Sequence, residues 1–178
     1  MNNSAQTPVT GVRLLVTGGT IDKIYDATEG RLGFEHTKVL EMLRQGRVPL
    51  PEACVQTVIL KDSLEMVDAD REAIAKACRE SAEGRLVITH GTDTMVLTAR
   101  HLAKTVEGRT IVLTGAMVPF SVNHSDALFN FGFAFAAARL LPHGVYVAMN
   151  GCVFPWDRVE KNRASGWFEE VAAGQATS

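Results

Sequence analysis

Little in this chain ties it to an oxidising compartment, a membrane or a nucleic acid. Cysteines number only three, Cys54, Cys78 and Cys152. An odd, widely spaced set without metal-ligand spacing excludes a disulfide framework or a zinc ribbon, and leaves the thiols to pack as small buried hydrophobes. No apolar run approaches the roughly 20 residues that a bilayer-spanning helix needs. Neither sign of charge dominates, since 18 Lys and Arg against 20 Asp and Glu leave a formal charge of -2. That balance supplies no basic footprint for nucleic acid and no polybasic membrane anchor, so the expected partner is a small molecule. The polar start, 1–11, lacks the charged-then-apolar order of a secretory signal, and the cytoplasm is the expected setting. Aromatics are sparse, with two tyrosines, Tyr25 and Tyr146, and two tryptophans.

What is present is a repeating beat of short apolar strand, loop and helix. Residues 12–16 form a β-branched and leucine run stopped by Gly18 and Gly19, the pattern of a buried first strand and a sharp turn. Residues 22–34 are polar, carry Gly30 and Gly33 and have no helical period; they read as a mobile loop over a site. A short helix is expected over 37–45, a strand over 55–60, a loop over 61–67 and a helix over 68–82, with Asp68 and Asp70 favouring its N-terminal dipole. Strands over 86–89, 111–114 and 145–149 alternate with helices over 94–106 and from Ser125 or Asp126 to Leu141. Beyond Cys152 the pattern fails. The alternation predicts an α/β fold: a doubly wound, mostly parallel sheet of about five strands, with right-handed crossovers placing helices on both faces. The length, 178 residues, suits a single domain, 1–178, with 1–10 and 172–178 expected to fray.

Two threonine clusters follow two of these strands: Thr17-Gly18-Gly19-Thr20 and Thr89-His90-Gly91-Thr92-Asp93-Thr94. Parallel sheets bind ligands beyond the carboxyl ends of their strands, so both turns point to one pocket. A threonine hydroxyl is a poor nucleophile until a neighbour shares its proton and donors stabilise the oxyanion. Asp93 can orient a hydroxyl or accept a cationic amine, and Lys161 is a candidate base. Threonine after a strand also serves as a helix N-cap, and Asp93 could do no more than that. His90, His124 and His143 sit on different elements without an i, i+4 pair, so no metal is expected.

The runs Leu15-Val16-Thr17-Gly18-Gly19-Thr20-Ile21 and Gly84-Arg85-Leu86-Val87-Ile88-Thr89-His90-Gly91-Thr92-Asp93-Thr94-Met95 resemble the two signatures of the bacterial-type L-asparaginases. The likeness continues through Thr114-Gly115-Ala116-Met117-Val118-Pro119, Ser125-Asp126 with Asn130, and Met149-Asn150 to Lys161. It covers the family's larger N-terminal domain and implies a short-chain form without the smaller C-terminal one. By resemblance Thr20 is the primary nucleophile, assisted by Tyr25. Thr92, Asp93 and Lys161 match the second triad, and Asp93 also matches the residue that holds the substrate α-amino group. Ser63, in Asp62-Ser63-Leu64-Glu65-Met66, falls where the α-carboxylate is bound, and the Ala116 carbonyl where the substrate amide is met. Asp62 or Glu65 is a candidate to replace side chains that the missing domain would bring.

This sequence departs from the pattern at Asp22, where the signature has a small residue. It departs again at Tyr25, which comes five residues after Thr20 where the family's lid tyrosine lies farther on; Phe34 stands near that more distant place without a hydroxyl. The implied activity is hydrolysis of L-asparagine to L-aspartate and ammonia through a threonine-linked acyl-enzyme, with no cofactor. Hydrolysis of glutamine or another amide, and a non-catalytic small-molecule binding module, are the alternatives. A homodimer or dimer of dimers is expected, burying the aromatic-rich stretch 154–168 and the Ala/Phe-rich helix 131–138.

Overall fold

A computed structural model describes residues 10–172, and the termini expected to fray lie outside this span except at Thr10 and Ala172. The main sheet has six strands: β1 (Val12–Gly18), β4 (Val55–Lys61), β5 (Arg85–Thr89), β6 (Thr110–Thr114), β7 (Gly144–Met149) and β8 (Cys152–Pro155), in the order β4-β1-β5-β6-β7-β8. The first five run parallel and β8 returns antiparallel to β7. Four helices connect them: α1 (Val39–Gln45), α2 (Asp68–Glu80), α3 (Met95–Thr105) and α4 (Ala127–Leu140). Because strand side chains alternate, Leu86, Ile88, Ile111 and Leu113 point to the α2 and α3 face. Val87 and Val112 point to the opposite face, against α1 and α4.

The crossovers do not all share one hand. From β5 to β6 to β7 the chain steps twice in the same direction, yet α3 covers one face and α4 the other. Crossovers of one hand that step in one direction stay on one face, so the connection through α4 runs with the hand opposite to that through α3. The uniform right-handedness expected from the strand and helix beat is corrected here. Before α4 begins, the segment 115–126 passes over the carboxyl edge of the sheet. There Phe120 N–H donates to Ile21 O at 3.4 Å and Ser121 Oγ donates to Lys23 O at 2.9 Å.

Four further expectations are revised. The segment read as a mobile loop without regular elements of its own holds a hairpin of β2 (Ile24–Asp26) and β3 (Arg31–Gly33), turned at Gly30 with φ 65°. Beyond Cys152 the chain makes β8 and then a second hairpin, β9 (Val159–Lys161) with β10 (Phe168–Glu170). Cys78 is buried, and burial pushes its thiol up to about 12, but Cys152 is exposed and Cys54 half-buried. The aromatics expected at a subunit contact are largely spent on the chain's own core: Phe131, Phe135, Phe154 and Phe168 are all buried. Trp167 is the large exposed aromatic of these stretches, and Phe129, just before the second of them, is exposed as well.

Candidate active site

In this sheet the strand order reverses between β1 and β5, because the chain leaves β1 outward to β4 and returns across it to β5. Loops diverging from such a point leave a crevice at the carboxyl edge. Both threonine clusters open onto it. Gly18 and Gly19 have φ 91° and 81°, a region that side-chain-bearing residues avoid. There is no room for a side chain either: a Cβ on Gly18 would lie 2.6 Å from Lys61 N, and one on Gly91 would lie 2.5 Å from Ser63 Oγ. The turns after β1, β4 and β5 are therefore packed backbone to backbone. Thr17 Oγ1 ties two of them by donating to Thr89 O at 2.7 Å.

Thr20, half-buried, opens a 3-10 turn closed by Asp22 N–H donating to Gly19 O and Lys23 N–H donating to Thr20 O, each at 3.1 Å. The Thr92 hydroxyl is buried beside the Lys161 ammonium. Lys161 Nζ donates to Thr92 Oγ1 at 2.8 Å and to Asp93 Oδ1 at 2.7 Å. The lysine side chain is 9 % exposed and the aspartate 38 %, so the cation is sheltered while the carboxylate faces the crevice. The remaining neighbour of the Thr92 hydroxyl is Met117 Sδ, at 3.7 Å. This triad can hand a proton between threonine and lysine and can hold positive charge where an oxyanion forms.

Ser63 is buried against Gly91, and its Oγ has no hydrogen-bond partner among the described residues. Ala116, fully buried, follows β6 in the same edge. Asp62 is committed elsewhere: Oδ1 accepts from Leu64 N–H at 3.0 Å and Oδ2 from Lys23 Nζ at 2.5 Å. Partial burial opposes ionisation there, but the Lys23 and Leu64 donors outweigh it and hold the carboxyl below its ordinary range. Glu65 is exposed. Tyr25, on β2, is 65 % exposed, the one predicted catalytic residue that the structure leaves in solvent. Thr20, Ser63, Thr92, Asp93, Ala116 and Lys161 are the predicted residues gathered at the carboxyl edge.

Two supporting residues escaped the sequence reading. His90, fully buried, donates from Nδ1 to Gly91 O at 2.7 Å and accepts from the Thr98 hydroxyl at Nε2, 2.8 Å, so it braces the Gly91–Thr92 turn against α3. Burial lowers this imidazole to about 4, and Arg71 adds to the effect. Asp22, also fully buried, accepts from Lys38 N–H at 2.7 Å and from the Thr37 hydroxyl at 2.9 Å, joining the Thr20 turn to the start of α1. Its polar character was visible; its burial depended on α1 folding back. Among the described residues no group of three or more His, Cys, Asp or Glu could hold a metal ion, and no helix is long and apolar enough to cross a membrane.

A family model described as "Asparaginase, N-terminal" matches residues 11–175. An L-asparaginase from Thermococcus kodakarensis is 30% identical over 161 residues, 87% of this chain and 49% of that protein. The solved thermostable L-asparaginase of the same organism superposes with a TM-score of 0.79 at 28% identity, over 90% of this chain and 51% of the other. A probable cytoplasmic L-asparaginase from Campylobacter jejuni gives 0.74 at 27%, over 87% and 50%. The D subunit of a glutamyl-tRNA(Gln) amidotransferase from Methanococcus vannielii is 46% identical over 81 residues, 45% of this chain and 19% of that protein. The chain thus spans about half the length of the asparaginase relatives and about a fifth of the amidotransferase subunit.

Proposed function

Because this chain belongs to the asparaginase family, matching its N-terminal model from residue 11 to 175, we propose that it hydrolyses the side-chain amide of L-asparagine to L-aspartate and ammonia. The observation that carries the reading is the Lys161 ammonium held between Thr92 Oγ1 and Asp93 Oδ1 in a sheltered position. Such an arrangement has a use in acyl transfer that a simple binding pocket does not require.

In this reading the Thr20 oxygen attacks the amide carbon. Its proton passes to the leaving nitrogen with help from Tyr25, which reaches Thr20 when the β2–β3 hairpin folds over bound substrate. Donors around Thr92 stabilise the oxyanion, and water activated at Thr92 and Lys161 then releases aspartate. Asp93 takes the α-amino group, Ser63 Oγ the α-carboxylate and the Ala116 carbonyl the amide. Asp62, paired with Lys23, fixes the turn that presents Ser63 rather than contacting substrate through a free charge. No cofactor takes part. The α/β domain assembles as a homodimer or dimer of dimers through the exposed Phe129 face of α4, and it works in the cytoplasm, the setting named for the Campylobacter protein.

A second reading, in which glutamine or a glutamyl amide is the better substrate, is favoured by the 46% identity to an amidotransferase subunit. Ammonia release from asparagine and glutamine, measured side by side on the purified chain, decides between them. Faster turnover of asparagine supports the first; faster turnover of glutamine supports the second, and release from neither sinks both.

A further inference from the structure

Next to the triad lies a pocket of about 330 Å³ that the hydrolysis of a plain amide does not use. Its walls include Met117, Val118, Asn150, Gly166 and Trp167. The one carboxylate on its lining, Asp126, is already satisfied. Oδ1 accepts from the Met117 and Val118 N–H groups, each at 3.0 Å, and Oδ2 from Asn130 Nδ2 at 2.9 Å. Besides the Asn150 and Ser165 side chains, an occupant meets the side chains of Met117 and Val118 and the Trp167 indole, the kind of surface an aromatic or alkyl group prefers.

The pocket is coupled to the site through two of its walls. Met117 spans the gap, with Sδ against the Thr92 hydroxyl and its methyl beside Gly166, where a Cβ would stand 3.3 Å away. Gly166 and Trp167 belong to the turn 162–167 of the hairpin whose β9 carries Lys161, a turn closed by Asn162 N–H donating to Trp167 O at 2.8 Å. Methionine is unbranched and rotates readily at each of its side-chain bonds, so it makes a movable partition where a β-branched residue would make a fixed one.

We propose that Met117 gates this pocket and that the pocket receives the N-substituent of secondary side-chain amides, making N-aryl or N-alkyl β-aspartyl amides substrates alongside the unsubstituted amide. The inference rests on the reading above, in which the Ala116 carbonyl receives the amide: Met117 is the next residue, so a group attached to that nitrogen runs toward it. The chemistry is balanced without any new reagent. The threonine oxygen bonds to the side-chain carbonyl carbon, the C–N bond breaks, and the amine departs with the hydroxyl proton. Water then cleaves the same aspartyl ester. Only the leaving group differs, a primary amine in place of ammonia.

The test uses L-aspartic acid β-anilide and asparagine, with aniline and ammonia measured separately for the full chain, Trp167→Ala, Trp167→Phe and Met117→Ala. The chain is expected to cleave both substrates. Trp167→Ala should lower kcat/KM for the anilide by about 10- to 100-fold, the worth of an aromatic contact, while asparagine stays within about threefold. Trp167→Phe should restore most of the loss, and Met117→Ala should shift the anilide-to-asparagine ratio upward by about tenfold. Asparagine cleaved without the anilide, or an anilide rate indifferent to Trp167→Ala, overturns the pocket assignment alone. Failure on both substrates overturns the amidase reading, and the pocket assignment falls with it.

Discussion

Gly19 and Gly91 meet backbone to backbone at the centre of the carboxyl edge, so closely that a Cβ on Gly19 would stand 2.3 Å from the Gly91 nitrogen. This contact, between residues that precede Thr20 and Thr92, sets the spacing of the two hydroxyls. Gly19→Ala meets both that clash and a φ of 81°. It should cost about 2–4 kcal/mol of stability and at least about 100-fold in amide hydrolysis. Gly30→Ala is the control, because Gly30 also has positive φ but open space around its Cα; its loss should stay near 1 kcal/mol. Calorimetric melting and ammonia release check both, and equal losses in the two variants would remove the contact as the cause.

Replacing Lys161 by methionine should lower kcat/KM for asparagine by at least about 100-fold, since the Thr92 hydroxyl loses the ammonium that donates to it. Lys161→Arg should not restore it, because a guanidinium holds its proton through the range in which a lysine can give one up. The partly exposed Asp93 left behind should change the melting temperature little. A large drop in melting temperature matching the loss of rate would assign Lys161 to folding instead.

His90 makes the stability depend on pH in a definite direction. Its folded value of about 4 lies below the ordinary 6.5, so within that window the unfolded chain carries a proton that the folded chain refuses. Stability therefore rises with pH across the window, and acidification from its upper to its lower end removes up to about 3 kcal/mol. Melting curves of the wild type should show this slope, and His90→Gln should flatten it. An unchanged slope in the variant would place the acid sensitivity elsewhere.

Asp22 works with the opposite sign. Burial raises its carboxyl against the pull of the Lys38 N–H and the Thr37 hydroxyl, and Oδ2 is buried without a partner among the described residues. Its contribution is most favourable while it holds a proton and is lost as the pH rises through its folded value. Asp22→Asn keeps the acceptor that meets Lys38 and Thr37 and removes the buried charge. The variant should melt higher than the wild type near neutrality, with the gain shrinking toward zero at about pH 4. A uniform loss at every pH would show that the ionised carboxylate stabilises the turn.

The sequence makes some of this architecture visible because the signals are local. Apolar runs ended by glycine placed β1 and β5, the acidic start at Asp68 and Asp70 placed α2, and 3.6-residue spacing placed α3, each within a few residues of its observed bounds. For α4 the helix could be read but its face could not. Its Ala and Phe residues are apolar on nearly every side, and which side of the sheet it joins depends on the path of 115–126. The hairpins β2–β3 and β9–β10 are only three residues a strand, too short for alternation to register. Thr20, Thr92, Asp93 and Lys161 stood out by type and by resemblance. The bonds that hold the site together are non-local: Lys23 meets Asp62 across 39 positions and Lys161 meets Thr92 across 69, and no periodicity reports contacts of that range. Tyr25 shows the converse, for its closeness to Thr20 in sequence leaves it 65 % exposed in the fold.

The β9–β10 hairpin has one more consequence, for the course of heat inactivation. Lys161 rides on a two-stranded ribbon outside the six-stranded sheet, anchored to the main core by Val159 beneath it and by its cross-strand partner Phe168. Small peripheral ribbons open below the temperature at which a domain melts as a whole. The chain should therefore fall silent in an ammonia assay while its helices still give their full circular dichroism. A trimmed side chain at Phe168, which touches no substrate atom, would pass in such an assay for a defect in the chemistry.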